Sequence, residues 1–485
     1  MKIPDYIISI ANRLKAAGYE AFVVGGSVRD FILGKDPQDW DITTNALPDQ
    51  MLSVFTEGKY ENNFGTVLLP IRLSGPEDGL ESKPIDVVEL TTYRSEQGYS
   101  DRRHPDEVRF ERALEKDLER RDFTINALAF DPTEKLHIID LFGGQKDIKA
   151  KIIRSVGEPA DRFKEDALRM LRAVRLSAQL GFLLEPKTQR AIIKLAGSIK
   201  FVSPERIRDE LIKILSSDRP ADGFMMLRDT KLLQYIIPEL ELGWEVKQDR
   251  HHIYTVFKHN ILSLKHCPSQ EWPVRLAALL HDVGKPKTRK VIDGITTFYN
   301  HEHVGAKMTD RIMSRLRFTN HDRERVVNLV KNHMFYYNVG EVSAASVRRL
   351  IVKVGKKNLK DLIDLRIADR LGSGTPKAKP YKLRHLEYMI EKVQNDPISV
   401  KMLKISGDDI MAIVNIPPGP KIGAILDVLL SEVIEDPALN TKERLRDRLQ
   451  VLSGLELSEL RSVAKERIAE KRDEEDKKIK YQFKV

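Results

Sequence analysis

Two glycines, an arginine and a pair of carboxylates stand near the start of the chain in an order suited to phosphate chemistry. They are Gly25-Gly26-Ser27-Val28-Arg29-Asp30, followed by Asp39-Trp40-Asp41. Adjacent glycines let the backbone approach an anion closely, and Ser27 is placed to start a helix whose free N–H groups face it. Asp39 and Asp41 are spaced i and i+2, the strand period, so both side chains point to one face. A phosphate cradle beside same-face carboxylates suits a nucleoside triphosphate held by magnesium and open to in-line attack. Gly-Gly turns and Asp-x-Asp loops are each common; their order and spacing together carry the reading. A third acid follows in the strand-like run Ile85 to Arg94, with Glu89 as the candidate and Asp86 close by. Two-metal chemistry asks for more than two protein oxygens.

These groups need a sheet to position them. Ala21-Phe22-Val23-Val24 is apolar and largely β-branched, a short buried strand feeding the glycine turn. Residues 1 to about 150 continue to alternate helix and strand signals. Asn63-Phe64-Gly65-Thr66-Val67 begins a strand, and Ser74 to Gly79 reads as a surface loop or hairpin extension. Arg94 to Pro105 is polar and reads as a mobile loop, where Arg102 and Arg103 could close over phosphates or simply be solvated. In Asp117 to Ala127, Asp122 and Asn126 are placed to hydrogen-bond a ribose among arginines that could meet phosphates; the plainer account is a helix with surface pairs. Ile138 to Gly144 closes this region with a strand and a glycine turn.

From Lys151 onward strand signals nearly vanish. Asp161 to Leu180 is expected to be strongly helical, with Phe163, Ala167, Met170, Leu171 and Val174 as its apolar stripe. Glu165, Asp166, Arg169 and Arg172 lie beside that stripe, and Asp166 and Arg169, at i and i+3, share a face. An exposed ion pair is the bland account. The sharper one concerns bases: cytosine and adenine each present an exocyclic amine next to a ring-nitrogen acceptor. An Asp acceptor beside an Arg donor matches them, and leaves polar groups of uracil and guanine unpaired. Good bidentate matches are worth roughly 1–3 kcal/mol in duplex readout.

Length and composition bound the rest. At 485 residues, two to four domains are expected. Hydrophobic content of 41% and charged content of 32% describe a globular, helix-rich protein. The net charge of +9 and pI near 9.2 suit a polyanionic partner. Cys267 stands alone, so no intrachain disulfide forms. No apolar run is long enough to span a bilayer, and Met1 to Lys15 carries a helical apolar pattern rather than a signal sequence. A cytoplasmic location is the expectation.

Gly-Gly-x-Val-Arg-Asp, Asp-x-Asp, Glu-x-Thr-Thr-x-Arg, Arg-Arg-Asp-Phe-Thr-x-Asn-Ala and Glu-Asp-x-x-Arg occur here in that order, over residues 1 to about 240. The set resembles the bacterial class II tRNA nucleotidyltransferase/poly(A) polymerase family, which builds or repairs the CCA end of tRNA from CTP and ATP. The resemblance implies an α+β protein: a polymerase-β-type nucleotidyltransferase head with a mixed sheet, then an all-helical neck, an HD-type helical domain and a helical tail. Asp39 and Asp41 would be metal ligands holding Mg2+, and Glu89 the third catalytic acid. Gly25, Gly26 and Arg29 would bind the triphosphate, and Asp122 and Asn126 the sugar or its neighbours. Asp166 and Arg169 would read the base, with Arg172 counted among the nucleotide-binding residues. Ser203-Pro204-Glu205-Arg206-Ile207 resembles the next motif, where Arg206 would support the base-reading helix; Ser-Pro-Glu is also a good helix start.

A second constellation lies further on. His259 sits in a helical run, His281-Asp282 follows the apolar helix Leu276 to Leu280, and His301 and His333 come next. Asp369 lies on the same stripe as Leu362 and Leu365, and a carboxylate there needs a partner such as a metal. The order resembles the HD metal-dependent phosphohydrolase superfamily. That match implies a divalent transition metal on His259, His281, Asp282 and Asp369, with His301 and His333 completing a second site. His321-Asp322 is read as a helix opening in which Asn320 and Asp322 act as caps, and His251-His252 sits in a polar connector. A Pro/Lys-rich linker, Thr375 to Lys382, leads to the last helices. Leu403 to Ile410 and Pro417 to Gly423 read as helix punctuation or RNA-backbone contacts, and Arg461 to Lys480 as a solvated, fraying helix.

The expected domains are 1–150 for the head, 151–245 for the neck, 246–375 for the HD-type domain and 376–485 for the tail. The expected function is template-independent addition of the tRNA 3′-terminal CCA with release of pyrophosphate, with tRNA, CTP and ATP as partners and no membrane. Poly(A) polymerase, or a C-only or A-only enzyme, is the alternative within the fold. A phosphohydrolase working through the histidine domain is the reading from another class.

Overall fold

The computed structural model describes the chain except Met1, Gln38, residues 63–64, 72–85, 98–106 and 249–252, Gly340, Pro376, and residues 394–398 and 463–485. The expectations for Ser74 to Gly79, for Arg102 and Arg103, for His251-His252 and for nearly all of Arg461 to Lys480 fall outside the described residues. The chain forms two compact units, Met1–Glu241 with Ser314–Phe318, and Leu242–Met313 with Thr319–Val485. Among the described residues no helix is long and apolar enough to cross a membrane.

The first unit begins with a seven-stranded mixed sheet built from β1 (Phe22–Val24), β2 (Asp41–Thr44), β3 (Lys59–Asn62), β4 (Thr66–Ile71) and β5 (Asp86–Thr92). A hairpin of β6 (Arg94–Gln97) and β7 (Glu107–Phe110) follows, and β8 (Leu128–Phe130) and β9 (Ile138–Asp140) complete the sheet in the order β3-β4-β5-β2-β1-β8-β9. The segment expected as a loop from Arg94 is therefore strand at its start, because Arg94 to Gln97 find antiparallel partners in Glu107 to Phe110. β2 lies between antiparallel β1 and parallel β5. That parallel pairing places Asp41 directly opposite Glu89. One sheet face is closed by Val24, Tyr93, Leu114, Leu118 and Ala129. The helix Asp5–Ala16 buries Ile7, Ile10, Ala11 and Leu14, the stripe its sequence period demands.

Helices follow, and one departs from expectation. Asp161 to Leu180 is two helices, Pro159–Glu165 and Leu168–Leu180, broken at Asp166. Asp166 adopts φ −141° and ψ 108°, and its carboxylate accepts from the Leu168 N–H at 2.9 Å. Asp166 thus ends the first helix in extended backbone while its side chain satisfies a free N–H at the start of the second, and this outweighs the apolar stripe that would have carried one helix through. Phe163, Ala167, Met170, Leu171 and Val174 remain buried on both sides of the break.

Among the described residues the second unit is helical apart from a small hairpin at Lys290–Ile292 and Ile295–Thr297. Its helices Val256–Lys265, Trp272–Leu280, His301–Arg315, Asn320–Asn332 and Leu359–Gly372 carry the histidines and acids. The cap of Asn320–Asn332 is Thr319, whose hydroxyl accepts from the Asp322 N–H at 3.1 Å, rather than Asn320 or Asp322. Toward the end, Ile410, Ile425, Val428, Leu429, Leu445 and Leu449 form a separate small core.

Candidate functional site

The glycine turn, β2 and β5 meet at one end of the sheet. Gly25 has φ +81° and ψ −139°, and a Cβ there would lie 2.9 Å from Arg121 Nη1 and 3.5 Å from Asp41 Oδ2. Only glycine lets the chain turn there with its backbone against the carboxylate. The helix starts at Gly26, not Ser27, whose hydroxyl instead donates to the Val24 carbonyl at 2.8 Å.

Asp41 opens β2, and Asp39 lies in the bend before it rather than in the strand. Burial pushes the Asp41 carboxyl up, Arg121 pulls it down and Asp39 pushes it up again; the net shift is upward. Glu89 is raised too, by burial first and then by Asp41, Glu61 and Asp39. Asp39, Asp41 and Glu89 therefore lie within electrostatic reach of one another. They do not close to the 4.8 Å ligand spacing found in the histidine clusters below. Like charges gathered this way raise one another's pKa, and a cation relieves them. Asp86 drops out of the set: three residues from Glu89, it faces the other side of β5 and accepts from the Tyr6 hydroxyl at 2.6 Å.

A polar chain runs back from the turn. Arg29 donates to Asn126 Oδ1 at 2.7 Å and pairs with Asp30 at 2.9 Å; Asn126 donates to Asp122 Oδ1 at 3.1 Å. Arg172 pairs with Asp122 at 2.7 Å. Burial alone would raise the Asp122 carboxyl, yet Arg172, Asn126 and Arg169 hold it below its usual value. Arg206 closes on Asp166 with both terminal nitrogens, at 2.6 and 3.3 Å. Arg169 binds Glu165 and reaches the Arg120 carbonyl at 3.4 Å, so it borders the same region as Asp122. Asp166 and Arg169 thus sit at a helix junction, held by Arg206 and Glu165, instead of on one helix face.

Three supporting residues went unassigned in sequence. Arg121 stands beside both Gly25 and Asp41; buried Asp117 grips Arg120 at 2.7 Å and Arg121 at 3.2 Å; Glu165 holds Arg169. The signal was an acid three and four residues before two arginines, which on a helix turn brings the charges together.

In the second unit, four imidazoles surround one buried carboxylate. Asp282 Oδ2 lies 3.3 Å from His259 Nε2 and 3.4 Å from His281 Nε2, and Oδ1 lies 3.2 Å from His301 Nε2 and 3.6 Å from His333 Nε2. Asp369 Oδ1 joins the first pair, at 3.3 and 3.7 Å. The Nδ1 atoms of His281, His301 and His333 lie 2.7–2.8 Å from the carbonyls of Ala278, Phe298 and Val330. Donation there leaves each Nε2 as a lone pair facing inward, the tautomer a metal takes. Buried Lys285 adds a contact to Asp282 at 2.6 Å. Burial opposes charge on Asp282, but Lys285 and the imidazoles outweigh it and keep the carboxyl far below its usual range. His259 and His281 with Asp282, and His301 and His333 with Asp282, are the two clusters of three whose ligand atoms lie within 4.8 Å among the described residues. Imidazole and carboxylate donors fit a borderline divalent ion.

A mixed sheet with a glycine turn and acids on adjacent strands, backed by an arginine-lined helical layer, defines a nucleotidyltransferase; an HD-type cluster follows it. Residues 21–154 match the poly A polymerase head domain, 181–242 the probable RNA and SrmB-binding site of polymerase A, and 266–373 the HD domain. The chain is 36% identical over 332 residues to the A-adding tRNA nucleotidyltransferase of Deinococcus radiodurans, covering 65% of this chain and 74% of that protein. It is 45% identical over 237 residues to the CCA-adding enzyme of Lactobacillus helveticus, covering 48% of this chain and 55% of the relative. The chain thus spans only about half the length of that relative. In fold it is similar to the Bacillus stearothermophilus CCA-adding enzyme in complex with CTP, with a TM-score of 0.67, 27% identity, and coverage of 93% of this chain and 98% of that one. This chain belongs to the tRNA nucleotidyltransferase family.

Proposed function

We propose that this protein adds or repairs the 3′-terminal CCA of tRNA from CTP and ATP, without a nucleic-acid template and with release of pyrophosphate. The reading rests above all on the register that sets Asp41 opposite Glu89, with Gly25 packed against Asp41. Asp39, Asp41 and Glu89 would hold Mg2+, a hard cation suited to carboxylate oxygens. Bound there, the ions would supply the charge that activates a terminal 3′-hydroxyl and steadies departing pyrophosphate. The backbone of Gly25 and Gly26 would face the triphosphate, with Arg29 orienting it. Asp122 and Asn126 would meet the sugar, Arg172 steadying Asp122. Asp166 would accept from, and Arg169 donate to, the base edge shared by cytosine and adenine, while Arg206 fixes the Asp166 carboxylate. The surplus positive charge would grip the tRNA backbone by charge and shape, giving binding a steep salt dependence.

A second reading, addition of A alone, draws on the likeness to the A-adding enzyme of Deinococcus radiodurans. In the second unit, His259, His281, Asp282 and Asp369 would hold one divalent transition metal ion and His301 and His333 a second, with Asp282 shared. Phosphohydrolase activity there would accompany the transfer reaction. The proposed division is head 1–150, neck 151–245, HD-type domain 246–375 and tail 376–485, acting in the cytoplasm.

The test is incorporation of each labelled nucleotide into tRNA lacking its last three residues, and into tRNA ending in CC. Two C additions and one A, then arrest, are expected; A uptake only after CC supports the second reading, and long A tails a poly(A) polymerase. Asp41→Ala is expected to abolish incorporation with tRNA binding retained. Incorporation surviving in that variant refutes the metal assignment.

A further inference from the structure

The helix Tyr381–Val393 of the second unit carries a tier of aromatic side chains that neither proposed reaction uses. The helix buries Leu383, Leu386 and Val393. Tyr381, His385 and Tyr388 recur at i, i+4 and i+7, so they share one face. Tyr381 is 62% exposed and Tyr388 55% exposed, more than packing against a core would leave. Ring centroids are 5.9 Å apart from Tyr381 to His385 and again from His385 to Tyr388. Tyr337 braces the middle of the tier, its hydroxyl 2.5 Å from His385 Nδ1 and its ring 6.0 Å from the imidazole. His385 is thereby fixed between two tyrosines that show their surfaces to solvent.

The charge around the tier is positive. Residues 377–393 carry Lys377, Lys379, Lys382, Arg384 and Lys392 against Glu387 and Glu391, and among the described residues the one ion pair these cations form is Lys379 with Glu387, at 2.7 Å. The rings are tilted to one another by 50° and 60°, so each exposed tyrosine offers a face of its own, and such faces beside surplus cations match a chain that alternates flat bases with phosphates. The surplus of cations around the rings favours a polyanion over a protein segment. We propose that Tyr381, His385 and Tyr388, braced by Tyr337, form a stacking platform for the bases of a single-stranded nucleic acid whose phosphates pass over the flanking lysines. Stacking on such rings tolerates any base, so this platform would hold a strand without reading its sequence. The proposal is independent of the chemistry assigned to either acidic cluster.

The test is photocrosslinking of the full-length protein to a six-nucleotide single strand carrying 4-thiouridine and ending in a 3′-deoxynucleotide, so that it cannot be extended. Crosslinked peptides are mapped by mass spectrometry. Crosslinks within residues 377–393 are expected. Their yield should fall about tenfold or more in Tyr381→Ala/Tyr388→Ala, given the size of single base–aromatic stacks. It should stay within about twofold in Tyr381→Phe/Tyr388→Phe, which keeps the rings and removes only the hydroxyls. Both positions are exposed, so circular dichroism should show the variants folded. Crosslinks confined to the first unit, an undiminished yield in the alanine pair, or equal losses in the phenylalanine pair would each overturn the proposal.

Discussion

Replacing Gly25 by alanine separates a backbone requirement from ordinary crowding. Gly25 holds φ +81° and ψ −139°, a region nearly closed to residues with a side chain. The strain of forcing alanine there is about 1–3 kcal/mol. A drop of about 2–12 °C in the melting temperature of the first unit follows, at about 2–4 °C per kcal/mol for a unit of this size. The new methyl would also come within 2.9 Å of Arg121 Nη1 and 3.5 Å of Asp41 Oδ2. Arg121 can swing away, but then Asp41 loses the one cation that lowers its pKa, and the turn shifts from the acids. Nucleotide incorporation is therefore expected to fall by more than the stability loss explains, by about a hundredfold if one transition-state contact is lost. Gly18→Ala is the control: Gly18 has φ +86° with nothing within 4 Å of the added carbon, so it should lose stability and keep activity. Melting curves and steady-state kcat on both variants decide the matter. Should Gly25→Ala behave like Gly18→Ala, with activity intact, the close approach of this turn to Asp41 has no catalytic meaning.

Asp166→Ala is expected to blur the choice of C and A over U and G by roughly 5–150-fold, the equivalent of about 1–3 kcal/mol. Arg206→Ala, which frees the Asp166 carboxylate from its 2.6 Å contact, should do so to a smaller degree; misincorporation assays give the ratio, and unchanged selectivity in both rejects the base-reading role. Asp122, held below its usual pKa in the fold, contributes stability that is present above its unfolded value near 4 and is lost as pH falls through the lower folded value. Asp122→Asn should therefore flatten the loss of thermal stability below about pH 4, and parallel acid profiles for the two proteins would contradict the pairing. Metal analysis after loading with a divalent transition metal and gel filtration should find two ions in the parent protein, one in His333→Ala and none in Asp282→Ala, because both clusters share Asp282. Equal content in all three would dismiss the shared carboxylate.

Much of this architecture is local and therefore legible in the chain. The strand at Phe22–Val24, the glycine turn, the strand carrying Glu89 and the buried stripe from Phe163 to Val174 follow from alternation, glycine and helical period within a few residues. His281-Asp282 after an apolar helix was legible for the same reason. What the chain alone left open depended on contacts between distant segments. Glu89 rather than Asp86 faces Asp41 because β5 pairs parallel to β2 in one register, and a slip of one residue would have reversed the faces. The break at Asp166 was decided by its side chain's bond to the Leu168 N–H and by Arg206, forty residues away, and the place of Arg121 by a turn nearly a hundred residues earlier. Four histidines far apart in the chain meet at Asp282 only once their helices have packed. Sequence determines which groups are available and how each segment prefers to fold. Their meeting is decided by tertiary packing, since a carboxylate's charge, partners and pKa depend on what surrounds it in space.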